Sequence, residues 1–199
     1  MTQAARKLSF DEYLSLDVES WVELELLEGR CEYVDGKLIE VPSESEPNDF
    51  IANLLMFLLA SSNAVPLRLI RPHSCEIEVL GKQRTRFPDL VILREEHLSL
   101  TQRRLFLTLE MPAPQLVAEV VSPGQVKYKR DYETKRDQYQ QRGIPEYWLL
   151  NSKEQTIEVL ELQDNQYVEF GKFQGVTPIQ SPNFKTLSFT VERVFSADT

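Results

Sequence analysis

Three side chains, far apart in order, carry the chemistry open to this sequence. Asp89 follows Pro88 at the entry of an apolar run, Leu90 to Leu93, and a proline there cannot donate to a central ladder. Glu119 interrupts a second run, Gln115 to Val121, of the continuous kind that is buried on both faces. A carboxylate in such a strand is costly unless it is paired, hydrogen-bonded or bound to a metal. If the two strands are neighbours, Asp89 and Glu119 converge at one end of a sheet. Hard carboxylate oxygens with room for water suit Mg²⁺ or Mn²⁺. Such an ion polarises a phosphoryl oxygen and activates a bound water near neutral pH. The competing readings are a structural ion pair for Glu119 and a turn or edge-strand carboxylate for Asp89.

The third side chain is Lys135. Asp131, Lys135, Gln138 and Tyr139 fall at helical spacings and share one side of a helix. Asp131 and Lys135 form an i,i+4 pair, read either as a surface salt bridge or as an ammonium brought up to the acids. In the second case Lys135 could hold a scissile phosphate or orient the attacking water.

The elements that must position these groups are legible in outline. Ser9-Phe10-Asp11-Glu12 is a capping box that starts a short helix running through about Leu16. Arg30 to Val34 and Lys37 to Val41 flank Asp35-Gly36, a type I′ hairpin signal. Asn48 to Ser61 carries an apolar stripe at Ile51, Leu54, Leu55, Leu58 and Leu59, which predicts a helix on a core. Strands are expected at Leu67 to Ile70, Cys75 to Leu80, Arg86 to Leu93 and Gln115 to Val121. Glu95 to Pro114 reads as a surface excursion, and Ser122-Pro123-Gly124 as a turn. A polar helix spans Tyr128 to Arg142, stopped by Gly143 and Pro145. Glu146 to Leu150, Thr156 to Leu162 and Tyr167 to Phe173 alternate as a three-stranded meander. Leu187 to Phe189 is a last strand and Val191 to Phe195 a closing helical turn. Strands and helices mix without strict βαβ alternation, which favours an α+β domain with a mixed sheet.

Composition excludes several classes. The 199 residues carry 42% hydrophobic and 27% charged side chains, the balance of a folded globule. A net charge of −9 argues against a general nucleic-acid coat, which must neutralise many phosphates. Residues 63–142 nevertheless hold 14 basic and 10 acidic side chains, the only stretch with a positive balance. That stretch is read as a solvated surface or a phosphate-facing patch. Cys31 and Cys75 are too few for a disulfide framework or a four-sulfur zinc site. No secretory signal and no membrane-length apolar run is present, so a cytoplasmic protein without membrane contact is expected. His73 and His97 lie apart without HExxH spacing, and no phosphate-loop or GxSxG string occurs. Tyr147 and Trp148 are read as core or interface rather than as a base-stacking platform.

Pro88-Asp89, Glu119-Val120-Val121-Ser122-Pro123, the trio Asp131, Lys135 and Tyr139, and above all Gly143-Ile144-Pro145-Glu146-Tyr147-Trp148-Leu149 together resemble the Uma-two family of restriction-endonuclease-like proteins. The resemblance spans about residues 8–196. It implies the PD-(D/E)XK nuclease superfamily: an α+β fold with a mixed β-sheet flanked by helices, an N-terminal hairpin and a C-terminal β-meander. It implies one domain over 1–199, with helix and hairpin at 8–42, nuclease core at 46–151 and final strands at 152–196. Carried over, Asp89 and Glu119 are the motif acids and metal ligands, and Glu32 is a supporting acid. The motif lysine should stand two residues after Glu119, where this chain has Val121; Lys135 on the next helix takes its place. Asn48 stands where many members have a histidine.

The function implied is a Mg²⁺- or Mn²⁺-dependent DNA endonuclease working as a homodimer, with catalytic Glu32, Asp89, Glu119 and Lys135. The alternative is a nuclease-fold module without cleavage that binds DNA or protein. Val121 and Asn48 point toward the alternative, and the retained acids with Lys135 toward the enzyme.

Overall fold

A computed structural model describes residues 7–16, 30–121 and 129–196. The opening helix α1 (Phe10–Ser15) has the expected capping box, with Ser9 accepting from the Glu12 amide and Glu12 reaching back to the Ser9 amide. The hairpin follows as β1 (Cys31–Val34) and β2 (Lys37–Glu40), turning through Asp35 and Gly36 with φ of 50° and 82°. Two positive φ angles are what a type I′ turn requires. Helix α2 (Glu46–Ser61) turns Ile51, Ala52, Leu55, Leu58 and Leu59 into the core.

The main sheet has six strands. Its centre is β8 (Leu116–Val121), parallel to β9 (Glu146–Asn151) and antiparallel to β6 (Leu90–Ile92). On one side β6 pairs with β3 (Ile70–Pro72). On the other, β9, β10 (Thr156–Gln163) and β11 (Gln166–Gln174) form the expected antiparallel meander. A second sheet joins β4 (Glu76–Glu78), β5 (Thr85–Arg86) and β7 (Phe106–Leu107). All six residues of β8 and of β9 are buried, Tyr147 and Trp148 among them, which places these strands in the core. A smaller cluster of Tyr13, Leu16, Tyr33 and Phe106 ties α1 to the hairpin.

Several elements differ from the sequence pattern for physical reasons. Leu67 to Leu69 is a 3₁₀ turn launched by Pro66, whose carbonyl accepts from Leu69 N, and the strand begins only at Ile70. The expected Arg86–Leu93 strand is split into β5 and β6, with Pro88 between them. The excursion over 95–114 contains a short helix, α3 (His97–Leu100), and β7. His97 is fully buried there: its Nδ1 accepts from Arg94 N, and its Nε2 lies 2.9 Å from the Pro112 carbonyl. Leu187 to Phe189 forms no strand; Phe189 instead accepts one bond from Ile179 N. The polar helix opens as a π-turn over Arg130–Lys135 and continues as α4 (Arg136–Arg142). It ends at Gly143, which takes the left-handed φ of 77° that this C-cap needs. The closing helix α5 (Val191–Phe195) matches the pattern. The Ser122-Pro123-Gly124 turn and Tyr128 lie outside the described residues.

Candidate active site

The antiparallel register of β6 and β8 pairs Leu90 with Ala118 and Val91 with Val117. Asp89 stands one residue before Leu90, just beyond this ladder, at the end of β8 that carries Glu119 and Val120. The Asp89 side chain is fastened to the sheet there, its Oδ2 accepting from Val120 N at 2.7 Å. Glu119, on the central strand, accepts from Lys135 Nζ at 2.6 Å through Oε2 and from the Tyr139 hydroxyl at 2.7 Å through Oε1. Both partners come from the helix after the strand, as helical spacing required.

The π-turn shapes that helix face. Asp131 and Lys135, four residues apart, both turn inward, with Lys135 Nζ 3.5 Å from Asp131 Oδ1. Such wide turns recur at functional sites, because the extra residue changes the direction of the side chains that follow. Relative exposure is 7% at Asp89, 1% at Glu119, 0% at Asp131 and 6% at Lys135, so the network is dry. Arg130 stands at its rim, giving Nε to Asp131 Oδ1 at 2.9 Å with its side chain less than half exposed.

A cavity of about 260 Å³ opens onto this network, walled among others by Glu32, Glu44, Arg86, Asp89, Arg130 and Lys135. Glu32 comes from β1 on the hairpin; it is bonded by the Gln83 amide and lies 3.5 Å from Arg86 Nη1. Arg86 is held in turn by Gln138. Three of the four expected residues therefore share one cavity, while Glu119 sits behind Lys135. Asn48 is buried at the start of α2 with Nδ2 toward Glu44. Val121 is a buried strand residue, and Lys135 supplies an ammonium that its position does not.

Electrostatics distinguish the two acids. Burial, and then the charge of Glu119, push the Asp89 carboxyl well above the usual range. Burial also raises Glu119, against the pull of Lys135. Burial alone would lower Lys135, but Glu119, Asp131 and Asp89 together hold it above its ordinary value, so the ammonium stays charged.

The donor set bears on which ion fits. Among the described residues, no group of three or more His, Cys, Asp and Glu side chains is gathered closely enough to enclose a metal. A closed zinc centre is not built here. Mg²⁺ needs less protein, because it keeps several waters and is commonly held by one or two carboxylates with substrate phosphate. Asp89, on the cavity wall, fits that requirement, and Glu119 would fit it only on releasing Lys135 or Tyr139, which hold both its oxygens.

Residue type and spacing pointed to Asp89, Glu119 and Lys135. Arg86 and Arg130 were missed, although the clustered bases of residues 63–142 were the available signal. The His73 ring lies beside Asp89, and nothing in the local sequence signals that contact. No helix among the described residues is long and apolar enough to cross a membrane.

Comparison with known proteins agrees with this architecture. A crystal structure of a "putative nuclease belonging to DUF820" from Anabaena variabilis ATCC 29413 superposes with a TM-score of 0.63 at 19% identity, covering 94% of this chain and 97% of that one. The fold is thus the expected mixed α+β arrangement of restriction-endonuclease-like proteins. No curated protein matches the chain. A family model described as "Putative restriction endonuclease" matches residues 10–192, and this protein belongs to that family, Uma2.

Proposed function

We propose that this protein is a Mg²⁺- or Mn²⁺-dependent DNA endonuclease that hydrolyses phosphodiester bonds. The observation carrying the reading is the buried Asp89 carboxylate, set against the charge of Glu119, on a cavity wall shared with Lys135 and Glu32. Lys135 is paired with Glu119, whereas burial and the Glu119 charge oppose ionisation of Asp89, and a cation held at Asp89 would relieve that. Asp89 and Glu119 would hold the ion, with Glu32 as a supporting acid across the cavity.

When bound, the divalent ion supplies Lewis-acid polarisation of the phosphoryl oxygen and a more acidic water. The chain's own groups do the rest. The Lys135 ammonium stands at the cavity wall, where negative charge grows on the phosphoryl oxygens during attack, and preorganised cations act strongly in such dry surroundings. Arg130, steered by Asp131, would grip a phosphate at the rim, and Glu32 would orient water from the hairpin side. Water adds to phosphorus, one P–O ester bond breaks, and the proton ends on the departing sugar oxygen. Cutting both strands needs two such centres, which a cytoplasmic homodimer would provide.

A second reading keeps the fold without cleavage. Both Glu119 oxygens are already engaged, by Lys135 and Tyr139, and that favours a binding module. Incubation of supercoiled plasmid with the purified protein and Mg²⁺ or Mn²⁺ separates the two. Nicking that disappears in Asp89→Asn supports the enzyme; intact plasmid with retained DNA binding supports the module.

A further inference from the structure

His73 lies just past β3, and its backbone takes the left-handed conformation with φ of 49°. Non-glycine residues adopt it uncommonly, histidine more often than most. The position is held at both ends: His73 N donates to the Asp89 carbonyl at 2.9 Å, and Arg30 Nη1 donates to the His73 carbonyl at 2.8 Å. The ring stands between two acids, Nε2 3.4 Å from Asp49 Oδ1 and Nδ1 3.6 Å from Asp89 Oδ1. Both ring nitrogens are buried, and neither has a hydrogen-bond partner. An uncommon backbone conformation and two unmet polar atoms therefore coincide at one residue, beside the motif acid. Such a conformation persists where surrounding structure enforces it, often at functional sites.

The two acids differ. Asp89 is buried, and its other oxygen is occupied by Val120 N. Asp49 is more than half exposed, and its Oδ2 is held by Asn53. A neutral imidazole has a single N–H to give. An N–H toward Asp89 meets a carboxylate only 10% exposed, whereas the Asp49 side chain is more than half exposed. His73 is not part of the cavity wall, and Asp89 is. The ring therefore reaches the cavity through the acids beside it, Asp89 by contact and Glu44 by charge.

We propose that His73 is a positioning residue for Asp89, its Nδ1–H fixing Oδ1 in the orientation from which the carboxylate serves the cavity. The proposal rests on the nuclease reading of Asp89 for its consequence and on the ring geometry for its contact. Hydrogen bonds around a catalytic group commonly run long without substrate and tighten with it, which accommodates the 3.6 Å separation. Partners that orient a metal-binding carboxylate typically contribute about 10- to 100-fold in affinity or activity.

Two substitutions separate the donor from the backbone. His73→Gly and His73→Asn both accept the left-handed φ, so neither is expected to unfold the chain. Asparagine also keeps an amide nitrogen the same number of bonds from the backbone as Nδ1. His73→Gly should lower kcat on DNA about 10-fold or more with KM nearly unchanged, and His73→Asn should recover most of that loss. Ring ¹⁵N spectra give a readout independent of cleavage, because the chain has two histidines and His73→Asn assigns them. The His73 ring should show the Nδ1–H tautomer and shift in Asp89→Asn, and should stay unchanged in the distant Asp137→Asn. An Nε2–H tautomer, or a ring indifferent to Asp89→Asn, overturns the proposal whether or not the protein cuts DNA. Wild-type kcat in His73→Gly, or equal losses in the Gly and Asn variants, overturns it as well. A responsive ring in a protein that cuts nothing upholds the contact and removes the nuclease reading instead.

Discussion

Replacing Lys135 by methionine deletes the ammonium and keeps most of the aliphatic stem. In the native network Nζ lies 2.6 Å from Glu119 and 3.5 Å from Asp131, with all three residues buried. Without it, Glu119 keeps only the Tyr139 hydroxyl, and Asp131 keeps Arg130. Removing one partner of a buried ion pair costs about 3–5 kcal/mol, because a charge is left stranded in low dielectric. At about 2–4 °C per kcal/mol for a chain of this length, Tm should fall by roughly 6–20 °C. Adding Glu119→Gln removes the stranded charge, so the double variant should regain part of the loss. A double-mutant cycle should then show coupling of about 1–3 kcal/mol. Urea unfolding followed by circular dichroism at neutral pH with chelator present measures all four corners. A loss in Lys135→Met below about 1 kcal/mol, the scale of an exposed pair, would refute the dry network.

Asp89→Asn should stabilise the protein at neutral pH while abolishing cleavage, because the folded Asp89 carboxyl is raised well above its unfolded value. For an acid shifted upward, the native state binds the proton more tightly. Its stabilisation is full below the unfolded pKa, near 3.9, and is lost as pH rises through the folded value. The stability difference between Asp89→Asn and wild type should therefore widen with pH; a difference flat across that range contradicts the assignment. Saturating Mn²⁺ should raise the wild-type unfolding free energy by about 2.7 kcal/mol at a hundred times Kd and leave Asp89→Asn unmoved, as thermal shift would show. Gly143→Ala should cost about 1–2 kcal/mol, since the φ of 77° is strained for alanine although its Cβ would meet nothing, and urea midpoints measure this. Ser9→Ala should remove about 1 kcal/mol from α1, visible as faster amide exchange at Glu12 and Tyr13.

What the sequence revealed depended on local patterns. Asp89 and Glu119 stood out because a charge in an apolar strand needs a reason, and Lys135 because helical spacing put it on the side of Tyr139. The hairpin, α2 and the meander followed from turn residues and periodicity. The π-turn did not, since hydrogen-bond register within a helix leaves no mark in residue type. His97 looked like a loop residue because its burial depends on the Pro112 carbonyl, 15 residues away. Arg86 and Arg130 were anonymous among other bases until the fold placed them on one wall. His73 was hidden for the same reason: its neighbours come from α2 and from the turn before β6.

Anomalous scattering from a Mn²⁺-soaked crystal asks most directly whether these remote side chains serve one cation. A peak at bonding distance from Asp89, with Glu119 beside it and none in Asp89→Asn, is the expected result. A peak held by other acids, or wild-type crystals with no peak while Lys135 remains locked on Glu119, would contradict the metal-site reading.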